Sequence, residues 1–230
     1  MSLLVVLAVG CGGTDASAPE ATRPAPGPTA SPTPEPALRV VVLGDSLAAG
    51  LGLPKTEAFP AVVEELLRAR GLDVEVINAG VSGDTTAGGL ARIDWVLQKP
   101  AEVLVVELGG NDALRGQPVA NIEANLREIV RRGHAAGAEV VLLGMDVPTN
   151  YGPDYATAFA AVYPRVAEEE GAVLVKGFVR ELVSDPELLQ PDGLHPTEMG
   201  QRQLADAVVP ALTEVLDAIR GGRPRPTPAP

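Results

Sequence analysis

The chain has 230 residues, 46% of them apolar, ample for one domain with a buried core. A formal net charge of −12 argues against a nucleic-acid partner, because neutralising phosphates takes clustered Lys and Arg, and it offers no pull towards anionic lipid. One cysteine and two histidines leave no internal disulfide and no credible zinc set, so the chemistry is expected to run on side chains alone, without metal or cofactor.

In chain order, residues 2–10 form an apolar run too short to cross a bilayer as a helix, and it closes on Ala8-Val9-Gly10-Cys11. Small residues before a lone cysteine resemble a bacterial lipoprotein signal. That resemblance implies that residues 1–11 are a signal whose Cys11 becomes the lipidated start of the mature chain. It further implies an exported protein, lipid-anchored to the periplasmic or extracellular face of the cell envelope. The alternative is an ordinary secretory signal followed by a free cysteine. Residues 12–37 are dominated by Ala, Pro, Ser, Thr and Gly, a composition that cannot bury enough apolar surface to offset its ordering entropy, and they read as a disordered tether. Residues 221–230 have the same character. The folded unit is then 38–220.

Inside that unit, apolar β-rich runs alternate with amphipathic segments. The first strand, from residue 38, ends in Gly44-Asp45-Ser46. A helix over 58–70, closed by Gly71, leads to a strand over 74–78. A second helix over 86–97 precedes a strand over 103–108, with Pro100 marking the turn. The third helix, 122–136, carries apolar residues at Ile122, Leu126, Ile129 and Val130, and Gly137 closes it before a strand over 140–143. One helix over 155–170 leads through Gly171 to a strand over 173–175, and the last helix covers 198–219. Alternation of this kind with short connections predicts an α/β, doubly wound three-layer sandwich of flavodoxin-like type around a five-stranded parallel sheet. Such sheets bind ligands at the carboxyl edge of their strands.

The polar residues gather at those predicted strand ends. Ser46 follows the first strand. Asn78 to Asp84 follow the second and Glu107 to Asp112 the third, both rich in glycine, which lets backbone N–H groups approach a ligand. Asn111 adds an amide donor that does not change charge with pH. Near the end of the unit, Asp192 and His195 share one turn in Asp192-Gly193-Leu194-His195-Pro196, a spacing that suits an orienting carboxylate and a general base. Donors aimed at one point are what acyl transfer needs for its oxyanion.

Gly44-Asp45-Ser46-Leu47, Gly83, Gly109-Gly110-Asn111-Asp112 and Asp192-Gly193-Leu194-His195-Pro196 resemble, in order and separation, the four blocks of the GDSL, or SGNH, hydrolases. Within that superfamily the chain looks most like the bacterial thioesterase I, arylesterase and lysophospholipase group, through Asn78 to Thr85, Gly89-Leu90-Ala91-Arg92 and Asn150-Tyr151-Gly152. The resemblance implies Ser46 as nucleophile, His195 as base and Asp192 as its orienter, with an oxyanion hole of Ser46 N–H, Gly83 N–H and the Asn111 side chain. It implies ester, thioester or lysophospholipid substrates, with Pro148, Asn150 and Tyr151 in the loop bordering the acyl site.

Other residues have plainer readings. Ser46 read alone is equally a helix cap, and His195 a part of the cap of the last helix. Ser82 sits in Gly80-Val81-Ser82-Gly83-Asp84, which lacks the last glycine of a nucleophile elbow and is read as structural. Asp84 and Asp112 are expected to order their own turns. Arg92 is expected in an ion pair or on a solvated face, and His134 on the last turn of its helix has no role. Two further functions stand beside the hydrolase. A carbohydrate O-deacetylase is separable by its turnover of acetylated sugars, and a non-catalytic lipoprotein binding module by its failure to react with a fluorophosphonate.

Overall fold

A computed structural model describes residues 37–145 and 151–222, so the signal-like segment, Cys11, the linker up to residue 36 and residues 223–230 of the tail lie outside the described residues. The elements follow as β1 (Leu38–Gly44), α1 (Ser46–Ala49), α2 (Phe59–Ala69), β2 (Val74–Gly80), α3 (Thr86–Val96), β3 (Val103–Glu107), α4 (Gly110–Leu114), α5 (Val119–Ala135), β4 (Glu139–Leu143), α6 (Pro153–Ala160), α7 (Val162–Glu170), β5 (Val173–Val175), α8 (Arg180–Ser184) and α9 (Glu198–Arg220). The strands form one parallel sheet in the order β2-β1-β3-β4-β5. This is the flavodoxin-like doubly wound order, and its topological switch lies between β1 and β3.

The apolar strands are continuous because both sheet faces are covered. Val40 and Val42 point into one core with Val62, Leu67, Leu204, Val208 and Leu212 of α2 and α9. Val41 and Leu43 point the other way, among Ile93, Leu126, Ile129 and Val166 of α3, α5 and α7. Successive strand residues thus serve opposite faces, as the two-residue period requires. Among the described residues no helix is long and apolar enough to cross a membrane.

Two departures from the sequence reading have clear causes. The single helix expected over 155–170 is two, α6 and α7, broken at Ala161. Pro164 has no N–H to donate to the carbonyl of Ala160, and its ring crowds that carbonyl, so the ladder cannot run through. The short helices α1, α4 and α8 were not expected, since four or five residues carry no measurable period. Each follows a strand near the carboxyl edge, where it shapes the site.

Candidate active site

β1 delivers Ser46 to the first turn of α1, with Asp45 as N-cap accepting the Leu47 N–H. The turn is tight because Gly44 has no side chain: a Cβ there would lie 2.5 Å from Oε2 of Glu107 and 2.6 Å from Cβ of Ala48. Glu107, fully buried at the end of β3, accepts the N–H groups of Asp45 at 3.0 Å and Ala48 at 3.2 Å through that same oxygen. Its Oε1 has no hydrogen-bond partner.

From the far end of the domain, the turn before α9 brings His195 to Ser46. The imidazole Nε2 lies 3.0 Å from Ser46 Oγ, and Nδ1 lies 2.6 Å from Asp192 Oδ2. A carboxylate only accepts, so Nδ1 carries the hydrogen and Nε2 presents its lone pair to the Ser46 hydroxyl. Asp192 also shapes its own turn, its Oδ1 accepting from Leu194 N–H and His195 N–H at 3.0 Å each. These bonds, led by the one to the imidazole, hold the Asp192 carboxyl down to about 2. Two glutamines fasten this turn to the rest of the site. Gln190 Nε2 donates to Leu51 O and Pro196 O at 2.8 Å each. Gln201, fully buried on α9, accepts from Phe59 N–H at 2.7 Å and donates to Leu47 O at 3.1 Å.

Two strand exits complete the cluster. Gly83 has φ +82°, a conformation that strains any residue with a side chain, and it lines the same cavity as Ser46 and His195. Arg115 Nη2 donates to the Gly83 carbonyl at 3.0 Å. Asn111, on α4, also lines the cavity, and its Nδ2 donates to Asp45 Oδ2 at 3.0 Å. Behind them Arg92, partly buried, makes the expected ion pair, and its partner is Asp84. It donates to Asp84 Oδ2 at 2.7 Å, Ala79 O at 2.6 Å and Gly44 O at 3.0 Å, tying the exits of β1 and β2 to the Gly83 loop. Asp84 also accepts the N–H of Thr85 next to it. Asp112, expected to order its own turn, instead reaches across to α3 and accepts from Thr86 N–H at 2.8 Å and Thr86 Oγ1 at 2.7 Å.

The cavity measures about 490 Å³, within the roughly 300–1,000 Å³ of small-molecule sites. Away from the polar cluster its walls are apolar: Leu47, Leu51, Leu114, Met145, Val179 and Leu182. The wall expected from the loop after β4 is only partly described. Pro148 and Asn150 lie outside the described residues, and Tyr151 does not line the cavity. The Tyr151 ring is exposed and packs against Tyr155, while its hydroxyl donates to the carbonyl of Leu114. Ser82 sits on the cavity lining, but the imidazole nitrogen meets Ser46. His134, on the last turn of α5, pairs through Nδ1 with Ala138 O at 3.1 Å, far from this cluster in the fold. Among the described residues no group of three His, Cys, Asp or Glu side chains is arranged to hold a metal.

A serine, an imidazole and a carboxylate in line at the switch point of a doubly wound sheet, beside backbone and amide donors, have the architecture of an acyl hydrolase. Residues 42–203 match the model of the GDSL-like lipase/acylhydrolase family. Over 179 residues the chain is 42% identical to the esterase TesA of Pseudomonas aeruginosa, covering 77% of this chain and 89% of that protein. It is 37% identical to thioesterase 1/protease 1/lysophospholipase L1 of Escherichia coli strain K12, covering 77% and 85%. The crystal structure of TesA superposes with a TM-score of 0.74 at 40% identity, covering 77% of this chain and 99% of that one. The chain belongs to the GDSL-like lipase/acylhydrolase family, and it is an esterase-type hydrolase with the fold of the SGNH enzymes.

Proposed function

We propose that the protein hydrolyses carboxylic esters and thioesters of apolar acyl groups, with Ser46 as nucleophile, His195 as general base and Asp192 as its orienter. The continuous line from Asp192 through His195 to Ser46, at 2.6 and 3.0 Å, carries this reading. As Ser46 Oγ attacks the acyl carbon, its proton passes to His195 Nε2, and the carbonyl oxygen becomes an oxyanion facing Ser46 N–H, Gly83 N–H and the Asn111 amide. Collapse of this intermediate breaks the bond to the alcohol or thiol, which takes the proton from His195. Water then repeats the cycle on the acyl-enzyme, with His195 again accepting and returning one proton, and the acid leaves. Asp192, ionised at neutral pH, holds the tautomer and stabilises the imidazolium without taking its proton.

The apolar wall supports an acyl chain as the group bound, and the relatives named esterase and thioesterase/lysophospholipase support the same class. It offers little to a carbohydrate: an acetylated sugar would set its hydroxyls against leucine, valine and methionine side chains. A fluorophosphonate is expected to label the wild type on Ser46 and to leave Ser46→Ala unlabelled. Equal labelling of the two proteins would overturn the assignment.

A further inference from the structure

Asn111 faces the cavity with an amide that is already committed on its other side. Nδ2 gives one hydrogen to Oδ2 of Asp45 at 3.0 Å, which leaves the second free. Asp45 is 3% exposed, and its other oxygen accepts the Leu47 N–H at 3.0 Å, so both oxygens already carry a donor. The backbone beneath it is pinned as well, because Glu107 accepts the N–H groups of Asp45 and Ala48 on one oxygen. A carboxylate can only accept. Against such a partner the Asn111 amide has one usable orientation, nitrogen towards Asp45, since the turned amide would oppose oxygen to oxygen.

We infer that Asp45 is the positioning residue for Asn111: by taking one amide hydrogen it aims the other at the point where the oxyanion forms. This rests on the oxyanion role proposed above and gives the site a second orienting carboxylate. Asp192 selects which imidazole nitrogen faces Ser46, and Asp45 selects which end of the amide faces the intermediate. A donor held in place beforehand needs no reorganisation when charge develops. The neighbouring carboxyls support the arrangement. Burial pushes both upward, Glu107 well above the ordinary range, and the donors on both Asp45 oxygens favour Asp45 as an acceptor.

Asp45→Asn tests this, because its NH2 must oppose either the Leu47 N–H or the Asn111 amide, and Asn111 is then free to turn. With a p-nitrophenyl ester, Asn111→Ala is expected to lower kcat by about 10²–10³-fold and Asp45→Asn by about 10–100-fold, each with little change in KM. In the Asn111→Ala background, Asp45→Asn should add less than about twofold, because its effect acts through the missing amide. Full additivity, or Asp45→Asn within about twofold of wild type, would overturn the inference. Loss of Ser46 labelling specificity would instead overturn the nucleophile assignment, and an unchanged kcat in Asn111→Ala would remove both the oxyanion role and this inference. Should Asp45→Asn not fold, the wild type decides by NMR. Of the two Asn111 side-chain amide protons, the one given to Asp45 is expected to be shifted downfield and protected from exchange. Two protons with ordinary shifts and no protection overturn the inference.

Discussion

Burial strips Glu107 of water on every side, and the neighbouring Asp45 carboxyl adds repulsion, so its proton is held well above the ordinary carboxylate range. Its folded pKa lies above the unfolded value, so the native state keeps a proton that the unfolded chain releases. Stability therefore declines as pH rises from the ordinary glutamate range towards the folded value. Glu107→Gln is neutral in both states and isosteric, and its Nε2 would occupy the place of the unpartnered Oε1. Urea unfolding between about pH 5 and pH 8 should show the wild type losing stability with pH relative to the variant, and parallel curves would refute it. Asp192 has the opposite sign. Its lowered pKa contributes stability above the ordinary aspartate range that is lost as pH falls towards about 2. Ser46, Asn111, Asp192 and His195 were legible as residue types in motifs. Asp45 and Glu107 were not singled out, although Glu107 ends an otherwise apolar strand, because a carboxyl reads the same in sequence whether it meets water or two backbone N–H groups.

At the scale of elements, the turn that carries His195 is anchored by the N-terminus of α9. Thr197 caps that helix, its Oγ1 accepting the Gly200 N–H at 3.3 Å, and its own N–H donates to Leu188 O at 2.8 Å. Thr197→Ala is expected to cost about 1 kcal/mol, read as a lower urea midpoint, and to leave the backbone bond to Leu188 in place. A change of less than a few tenths of a kcal/mol would mean the cap is dispensable. The end of α5 was readable from period and Gly137, whereas its start at Val119, after Pro118, lies three residues before the expected one. The break at Ala161 was readable too, through Pro164, but the apolar period runs across it and masks it. Strand β2 extends two residues beyond its expected end, to Gly80, because pairing with β1 continues to Gly44. That pairing is a property of two strands and not of either alone.

Across the whole molecule, the cavity is assembled from segments far apart in the chain: α1 and the residues after it, α4, Met145, α8 and the His195 turn. Its outer wall includes Val183 of α8, a residue 61% exposed at the rim. Filling that position with Val183→Trp is expected to shorten the acyl preference, lowering kcat/KM for a decanoyl ester relative to a butyryl ester by about tenfold. An unchanged ratio across a chain-length panel would show that acyl chains do not run along α8.

The alternation of elements, the parallel doubly wound sheet and the four motif blocks at the strand ends are legible in residue order alone. These arise from local rules: hydrophobic period, glycine and proline punctuation, and strand order constrained by right-handed crossovers. What those residues touch is set by packing across the fold. Ser46 and His195 are 149 positions apart and meet at 3.0 Å because the switch point between β1 and β3 lies beneath the turn before α9. Arg92 likewise became a clamp on two strand exits, and Asp112 a partner of Thr86, because buried charges seek partners across the fold. Long-range contact, the one thing a linear pattern does not encode, set the geometry of the site.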